Sequence, residues 1–327
     1  MRRRGVGRLA TKLRRRTKFE IAPLPPFDFG LTVRKPAGWD LFTSKEVYEA
    51  GTLWTGIRFE GRPIGLKIQS SGTVESPLVL VGVYAAGAIS MKDAGRMRDI
   101  LTACLGAKQD LKDFYGFAVK DEILRHVVDD LYGMHDTQAV SLFNSVILGI
   151  CLQMARLTRS REMMQAIDRK YGETIEFDEK RVVLQPTAER IARLDPKTFA
   201  KECKLGYRAR YIVASAKMIA GGFPDTLGIM AMPPEEAKEK LMELPGIGDY
   251  AADIINPHAG FPIDAWSVDV FGLLFFGREP ENRREAIEEV KKEGIRRWGR
   301  WSWMAFFYVA QDLRNLSKRL GIELRLD

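Results

Sequence analysis

The stretch Leu244-Pro-Gly-Ile-Gly-Asp-Tyr-Ala-Ala-Asp253 constrains this chain more than any other. Before it, Pro233-Pro234-Glu-Glu-Ala-Lys-Glu-Lys-Leu-Met-Glu243 reads as a short helix, with prolines at its start and acids in its first turn, where they suit the positive end of the helix dipole. Gly246 and Gly248, two apart, permit positive φ and let a foreign backbone come close. Tyr250-Ala-Ala-Asp-Ile-Ile255 then reads as a second helix whose N-terminus points back at the loop. Helix, glycine turn and helix together present unpaired backbone N–H groups to an anion. The plainer reading is an ordinary helix–helix connection, in which glycine is common.

Composition bounds the rest. A length of 327 residues, 46% of them hydrophobic, allows two or three domains with a sizeable core. No apolar run reaches the roughly 18–20 residues that span a bilayer, and the N-terminus lacks the apolar segment of a signal peptide. Cys104, Cys151 and Cys203 are scattered and odd in number, which argues against a disulfide framework and for a reducing compartment. An iron–sulfur cluster on local cysteines is excluded, and His126, His135 and His258 are too scattered to suggest zinc; no metal is expected.

The net charge of +8 is concentrated. Residues 1–18 hold nine Lys and Arg and no acid, so the other 309 sum to −1. A basic, disordered tail over 1–20 is expected, adding salt-dependent affinity for nucleic acid. A membrane-surface or targeting role is the other reading of such a tail, although it contains no serine.

From Phe27 to about Ala86 the pattern is strand-like. Phe27–Val33, Leu53–Phe59, Pro63–Gln69 and Leu78–Tyr84 carry β-branched and aromatic residues between turn signals, with Glu60-Gly61 as a hairpin turn. A helix follows around Lys92–Leu105. From Leu111 onward helical periods succeed one another, including Asp121–Leu131, with Val182–Gln185 as an extended exception. The expected fold is α+β: a tail over 1–20, a small antiparallel β domain over 21–110, and a mostly helical, two-lobed core over 111–327 with the hairpin at 234–256.

Four stretches, taken in order, resemble the helix-hairpin-helix DNA glycosylases, in the branch of the alkyl-purine and 8-oxoguanine enzymes. They are the hairpin, Leu205-Gly-Tyr-Arg-Ala-Arg-Tyr-Ile212, the helix Phe143–Arg156, and Trp301–Leu313, which is similar to the family's last packing helix. The β domain ahead of two helical lobes agrees, and the resemblance covers about residues 27–316. It implies a DNA glycosylase of base excision repair acting on duplex DNA with a damaged base. It also implies a protein of the cytoplasm and nucleoid or of the nucleus, with a monomer expected.

The resemblance also implies site residues. The hairpin amides of Gly246, Gly248 and Tyr250 would hold phosphate, with a structural monovalent cation as the one ion to consider and no redox cofactor. The family's carboxylate stabilises the sugar cation or activates water. Asp269 keeps the family spacing from the hairpin and is the expected catalytic residue; Asp264, in Pro-Ile-Asp, keeps the local motif but falls about five residues early and is the alternative. Either Asp also suits a plain helix cap. Pro257 follows a second helix shorter than the family's. Members that cut the strand carry a lysine where this sequence has Tyr250, and a phenol forms no Schiff base, so a monofunctional enzyme for alkylated or deaminated bases is expected. Ala305 stands where the 8-oxoguanine branch holds glutamine. A bifunctional 8-oxoguanine glycosylase/lyase and a non-catalytic hairpin DNA-binding protein are the alternatives. Gln153 would be the wedge that fills the hole in the duplex and Arg156 would contact the orphan base or backbone, the alternative for both being simple solvation of a helix end; Arg208 and Arg210 would be phosphate or structural contacts. Trp266, Trp301 and Trp303 would line the base pocket, the alternative being that such rings are core.

Overall fold

The computed structural model describes residues 10–34, 46–155, 157–256, 260–264 and 266–324. The N-terminal part holds strands β1 (Thr11–Lys12) and β2 (Arg14–Ile21), helix α1 (Phe29–Arg34), strands β3 (Val47–Glu49), β4 (Thr52–Phe59), β5 (Arg62–Ser70) and β6 (Val79–Ala85), and helix α2 (Met91–Cys104). Helices α3 (Lys112–Ala118), α4 (Leu142–Leu152) and α5 (Leu157–Tyr171) lead to a β-hairpin, β7 (Glu173–Phe177) and β8 (Lys180–Leu184). Ten helices complete the chain: α6 (Ala188–Ala192), α7 (Pro196–Cys203), α8 (Arg208–Ala220), α9 (Thr226–Met230), α10 (Pro234–Met242), α11 (Asp249–Ile255), α12 (Ser267–Phe276), α13 (Arg283–Trp298), α14 (Ser302–Gln311) and α15 (Leu313–Leu320). The class is α+β.

Five strands form an antiparallel sheet in the order β2-β6-β5-β4-β3. Glu60 and Gly61, with φ of 50° and 72°, make the two-residue turn between β4 and β5, a backbone that matches the twist of a hairpin. Leu66, Ile68, Val81 and Val83 pack from one face against Met97 and Leu101 of α2. A second sheet, β1-β7-β8, covers one end of the opposite face, with Ile175, Phe177 and Leu184 on Trp54 and Tyr84. Gly65 is required there, since a Cβ would lie 2.6 Å from the Phe177 ring.

Three local expectations fail. The segment from Phe27 to Val33 is not a strand: the side chain of Asp28 accepts from the N–H of Leu31 at 2.7 Å and starts α1. Nor is the basic segment loose to residue 20, because from Thr11 it is strand. β2 pairs with β6 from Arg14 to Ile21, Leu13 and Ile21 are buried, and Arg16 donates to the carbonyls of Ala85 and Ala86 at 3.1 and 2.5 Å. The arginines lie on the outside of an edge strand, where charge guards against further pairing. Asp121–Leu131 is a turn region with one 3-10 turn at Leu124–His126, set by Asp121, whose carboxylate accepts from the N–H groups of Ile123 and Leu124.

The helices form two lobes with separate cores. The first gathers α4 through α11 around Phe199, Ile212 and Leu241. The second joins α12 through α15 to α3 and residues 123–134, around Phe261, Phe271, Trp298 and Tyr308. Each fully buried ring of this kind contributes about 1.5–3 kcal/mol by leaving water. The chain passes from the first lobe to the second between Ile255 and Ser267, and Asp264 lies in that crossing.

Candidate active site and nucleic-acid interface

The hairpin forms where the sequence places it, with α10 and α11 joined through residues 243–248. Gly246 has φ of 86°, and a Cβ there would sit 2.6 Å from the Cβ of Tyr211. Gly248 is the N-cap of α11, has no side chain to close the helix end, and faces open space. The first-turn amides of α11 are therefore available to an outside acceptor. Loop carbonyls are braced from behind: Ser215 Oγ donates to Pro245 O at 2.8 Å, and Gln153 Nε2 to Gly246 O at 2.6 Å.

Four charges lock the hairpin to the second lobe. Lys238 of α10 lies 2.6 Å from Asp249 and 2.7 Å from Asp253, both on α11. Lys291 of α13 contacts the same two carboxylates, that of Asp253 at 3.4 Å. Asp253 is fully buried, and burial raises its pKa against the pull of the two lysines. Burial alone would lower Lys238, but its hydrogen bonds to Asp249 and Asp253 outweigh that and raise it, so its amine stays an ammonium ion. Two ammonium groups thus face two carboxylates, which offsets the cost of holding Asp253 out of water.

Tyr250, half-buried on the first turn of α11, lies beside the carboxylate of Asp264. Burial first, and that carboxylate second, push its phenol well above the ordinary range, so it is a donor at every accessible pH. Asp264 also accepts from the N–H groups of Trp266 and Ser267 at 3.1 and 2.8 Å, and from Ser267 Oγ at 2.8 Å. It thus opens α12 as a cap while remaining half-exposed.

Asp269 is placed otherwise. It is 5% exposed, and both its oxygens meet Arg283, Oδ1 with Nε at 2.8 Å and Oδ2 with an NH group at 2.6 Å. This bidentate pair fastens the start of α13 to the first turn of α12. The structure brings Asp264, not Asp269, to the tyrosine of the hairpin.

The remaining expected residues divide. Gln153 braces Gly246 rather than projecting, and Arg208 donates to the carbonyls of Ile150 and Gln153, closing the C-terminal end of α4. Arg210 is exposed, stacked 4.6 Å over Tyr211. Arg156 lies outside the described residues. Trp303 donates its indole N–H to the buried Asp136 at 3.0 Å, whereas Trp301 packs on Phe114 beneath Arg300. Trp266 stands at the start of α12, and no ring contact joins the three tryptophans among the described residues.

No family model matches the chain. It is similar to the DNA-3-methyladenine glycosylase of Bacillus subtilis, 27% identical over 203 residues, which are 61% of this chain and 66% (about two thirds) of that protein. It is also similar to a probable N-glycosylase/DNA lyase of Methanothermobacter thermautotrophicus, 26% identical over 253 residues, 70% of this chain and 78% of that one. Its fold matches the 3-methyladenine DNA glycosylase from Archaeoglobus fulgidus with a TM-score of 0.72 at 22% identity, covering 92% of this chain and 98% of the other. The chain is thus similar in sequence to proteins named as DNA glycosylases and shares the fold of another.

Two exposed apolar side chains near the hairpin carry no signal of their own in the sequence. Met154 follows Gln153, is 80% exposed, and has φ of 49°, a conformation that costs a non-glycine residue energy. Tyr207, 49% exposed, holds Arg208 4.8 Å from its ring. Through Gln153 and Arg208 both adjoin the hairpin. The signal for Tyr207 was its place ahead of Arg208; nothing in the sequence separated Met154 from any surface methionine. The thiols offer no nucleophile: burial pushes Cys104 and Cys151 up to about 12 and Cys203 up to about 11.

Proposed function

We propose that this protein is a monofunctional DNA glycosylase that hydrolyses the N-glycosidic bond of an alkylated or deaminated base swung out of duplex DNA. The observation that carries the reading is the pair Tyr250–Asp264. At the hairpin position where strand cutting needs an amine, the chain supplies a phenol, which lies beside a carboxylate. Lys238 and Lys291, which contact the hairpin helix α11, are held by Asp249 and Asp253. Ala305 is fully buried and offers no polar group to an oxidised purine.

The carboxylate of the mechanism is Asp264, in place of Asp269. A carboxylate already neutralised by a guanidinium has little field left for a developing sugar cation, and Asp269 is in that state. Among the described residues Asp264 accepts from neutral donors and forms no ion pair. Duplex DNA meets the hairpin amides of Gly246, Gly248 and Tyr250, and Met154 and Tyr207 enter the stack beside them. As the N-glycosidic bond breaks, its electron pair leaves with the base and positive charge grows on C1′, facing Asp264. Water then bonds to C1′ and gives its proton to the carboxylate. An N-alkylated base leaves as a neutral molecule, which is why cationic lesions need no acid.

A structural monovalent cation belongs to the proposal only on loop carbonyls other than those of Pro245 and Gly246, which already accept from Ser215 and Gln153. We place the enzyme, as a monomer, in a reducing compartment with its DNA; no helix among the described residues is long and apolar enough to cross a membrane.

The test is a panel of duplexes carrying methylpurine, hypoxanthine, uracil or 8-oxoguanine, developed with hot alkali. Release of an alkylated or deaminated base, with strand breaks only after alkali, is expected. The similarity to a probable N-glycosylase/DNA lyase favours a second reading, a bifunctional enzyme. Borohydride trapping of a covalent protein–DNA adduct by the wild-type protein would establish that reading instead.

A further inference from the structure

The arginine-rich edge of the β domain forms part of a cleft that the hairpin chemistry does not use. The sheet β1-β7-β8 covers only the Trp54–Tyr84 end of the outer face of the five-stranded sheet. Beside it lies an open cleft of about 610 Å³, with Arg15, Lys18, Lys67, Arg98 and Tyr84 along its walls and Gly82 in its floor. Strand register builds it. Gly82 of β6 is opposite Lys18 of β2 on one side and opposite Lys67 of β5 on the other. Neighbouring strands lie about 4.8 Å apart, so two ammonium groups flank a residue without a side chain across a notch of about 10 Å. A Cβ at Gly82 would find only ordinary contacts, at 3.5 Å or more, so the internal packing does not demand glycine there.

The charges are unequally spent. Asp178 takes Lys67 at 2.8 Å, together with the indole N–H of Trp54 and the hydroxyl of Tyr84. Glu20 also lines the cleft. Among the described residues no carboxylate lies within ion-pair distance of Arg15 or Lys18, and Arg98 meets only the exposed Asp99, at 3.6 Å. Arg15 and Lys18, held on the sheet without acidic partners among the described residues, and Arg98 of α2, beside only Asp99, cost repulsion unless an outside anion offsets it. The nine residues preceding this segment add four arginines and no acid. The rest of the chain is close to neutral, so the excess positive charge of the sequence lies in its first 18 residues, of which Arg14, Arg15, Arg16 and Lys18 belong to β2.

We propose that this cleft is a second DNA-contacting surface, one that binds backbone phosphates of the duplex away from the lesion. Lys18, Arg15 and Arg98 pair with phosphate oxygens, and the Gly82 notch lets the strand approach the sheet. The role is electrostatic and independent of sequence, so it extends the footprint and holds the enzyme on undamaged DNA. It needs only that DNA is the partner, not that any particular base is released.

Charge-neutral substitution tests it: Arg15→Gln, Lys18→Gln and Arg98→Gln combined, in the full chain, with thermal melting to confirm the fold and Lys18→Arg with Arg98→Lys as the charge-keeping control. Binding of lesion-free duplexes of about 40 and about 12 base pairs is followed by fluorescence anisotropy against salt. On the long duplex, the triple variant should bind at least about tenfold more weakly, and the slope of log K against log salt should fall by about 2–3, at roughly 0.9 for each phosphate no longer neutralised. On the short duplex both should stay near wild type, and the control should match wild type throughout. An unchanged slope on the long duplex overturns the proposal. So does an equal loss on both lengths, which would assign these residues to the lesion-binding face. Lack of base release on every lesion would refute the proposed function while leaving the salt slope to decide this surface on its own.

Discussion

Replacing Lys238 by Met probes the clamp that positions the hairpin. Asp253 has no solvent exposure and rests on Lys238 at 2.7 Å and Lys291 at 3.4 Å. Methionine keeps the length of the side chain and removes the nearer cation, leaving a buried carboxylate with one distant partner. Breaking a buried pair from one side costs about 3–5 kcal/mol. Lys291 remains, and Asp249 is more than half exposed, so the lower end, about 3 kcal/mol, is expected. The pH dependence has a definite sign. Burial already raises the pKa of Asp253, so the folded protein binds its proton more tightly than the unfolded chain. Stability from this group therefore falls as pH rises from the unfolded value, about 4, through the folded one. Lys238→Met should raise the folded value further, so the variant should recover part of its loss on acidification towards pH 5. Urea unfolding at pH 7.5 and pH 5, with Asp253→Asn alone and combined with Lys238→Met, measures both effects. The double variant should be more stable than Lys238→Met. A loss below about 0.5 kcal/mol, or no suppression by Asp253→Asn, would refute the clamp.

Three further outcomes follow from single sites. Tyr250→Lys places an amine beside Asp264 and should give a borohydride-trapped adduct on a duplex whose base is released, where the wild-type protein gives none. Gly246→Ala adds a Cβ 2.6 Å from that of Tyr211 at φ of 86°, and should weaken binding to duplex DNA by about tenfold or more, with a stability loss of about 1–3 kcal/mol by chemical denaturation. Asp312 is pushed up to about 6 by burial and by the neighbouring Asp130, which opposes folding once it ionises. Asp312→Asn should therefore stabilise the protein at pH 7 by up to about 2 kcal/mol, and the gain should vanish near pH 4.

The hairpin was legible because its prolines, glycines and small residues leave the backbone few choices. The two lobes were legible as helical periods, but not that residues 111–134 complete the second core, since that packing joins positions nearly 200 apart. The segment from Arg14 to Ile21 looked like a tail because an edge strand can expose charge on both sides, which erases the alternation that marks a strand. Phe27–Val33 misled through its β-branched residues; the cap at Asp28 decided it. Counting residues from the hairpin favoured Asp269, but a count assumes a connection of the family's length. Here α11 ends at Ile255, and the shorter path to α12 brings Asp264 to Tyr250. Arg208 and Gln153 carry side chains suited to DNA, and only the positions of the α4 carbonyls and the hairpin loop showed what they hold.

The most direct measurement is single-turnover base release by Asp264→Asn and Asp269→Asn, each beside an anisotropy measurement of DNA binding. Loss of a preorganised charge at the reacting centre lowers the rate by about 10²–10³ or more. Asp264→Asn should show that loss while still binding the lesion duplex, and Asp269→Asn should stay within about tenfold of wild type, with its defect in stability. A rate abolished by Asp269→Asn and left intact by Asp264→Asn would contradict the assignment of the reaction to the Tyr250–Asp264 pair.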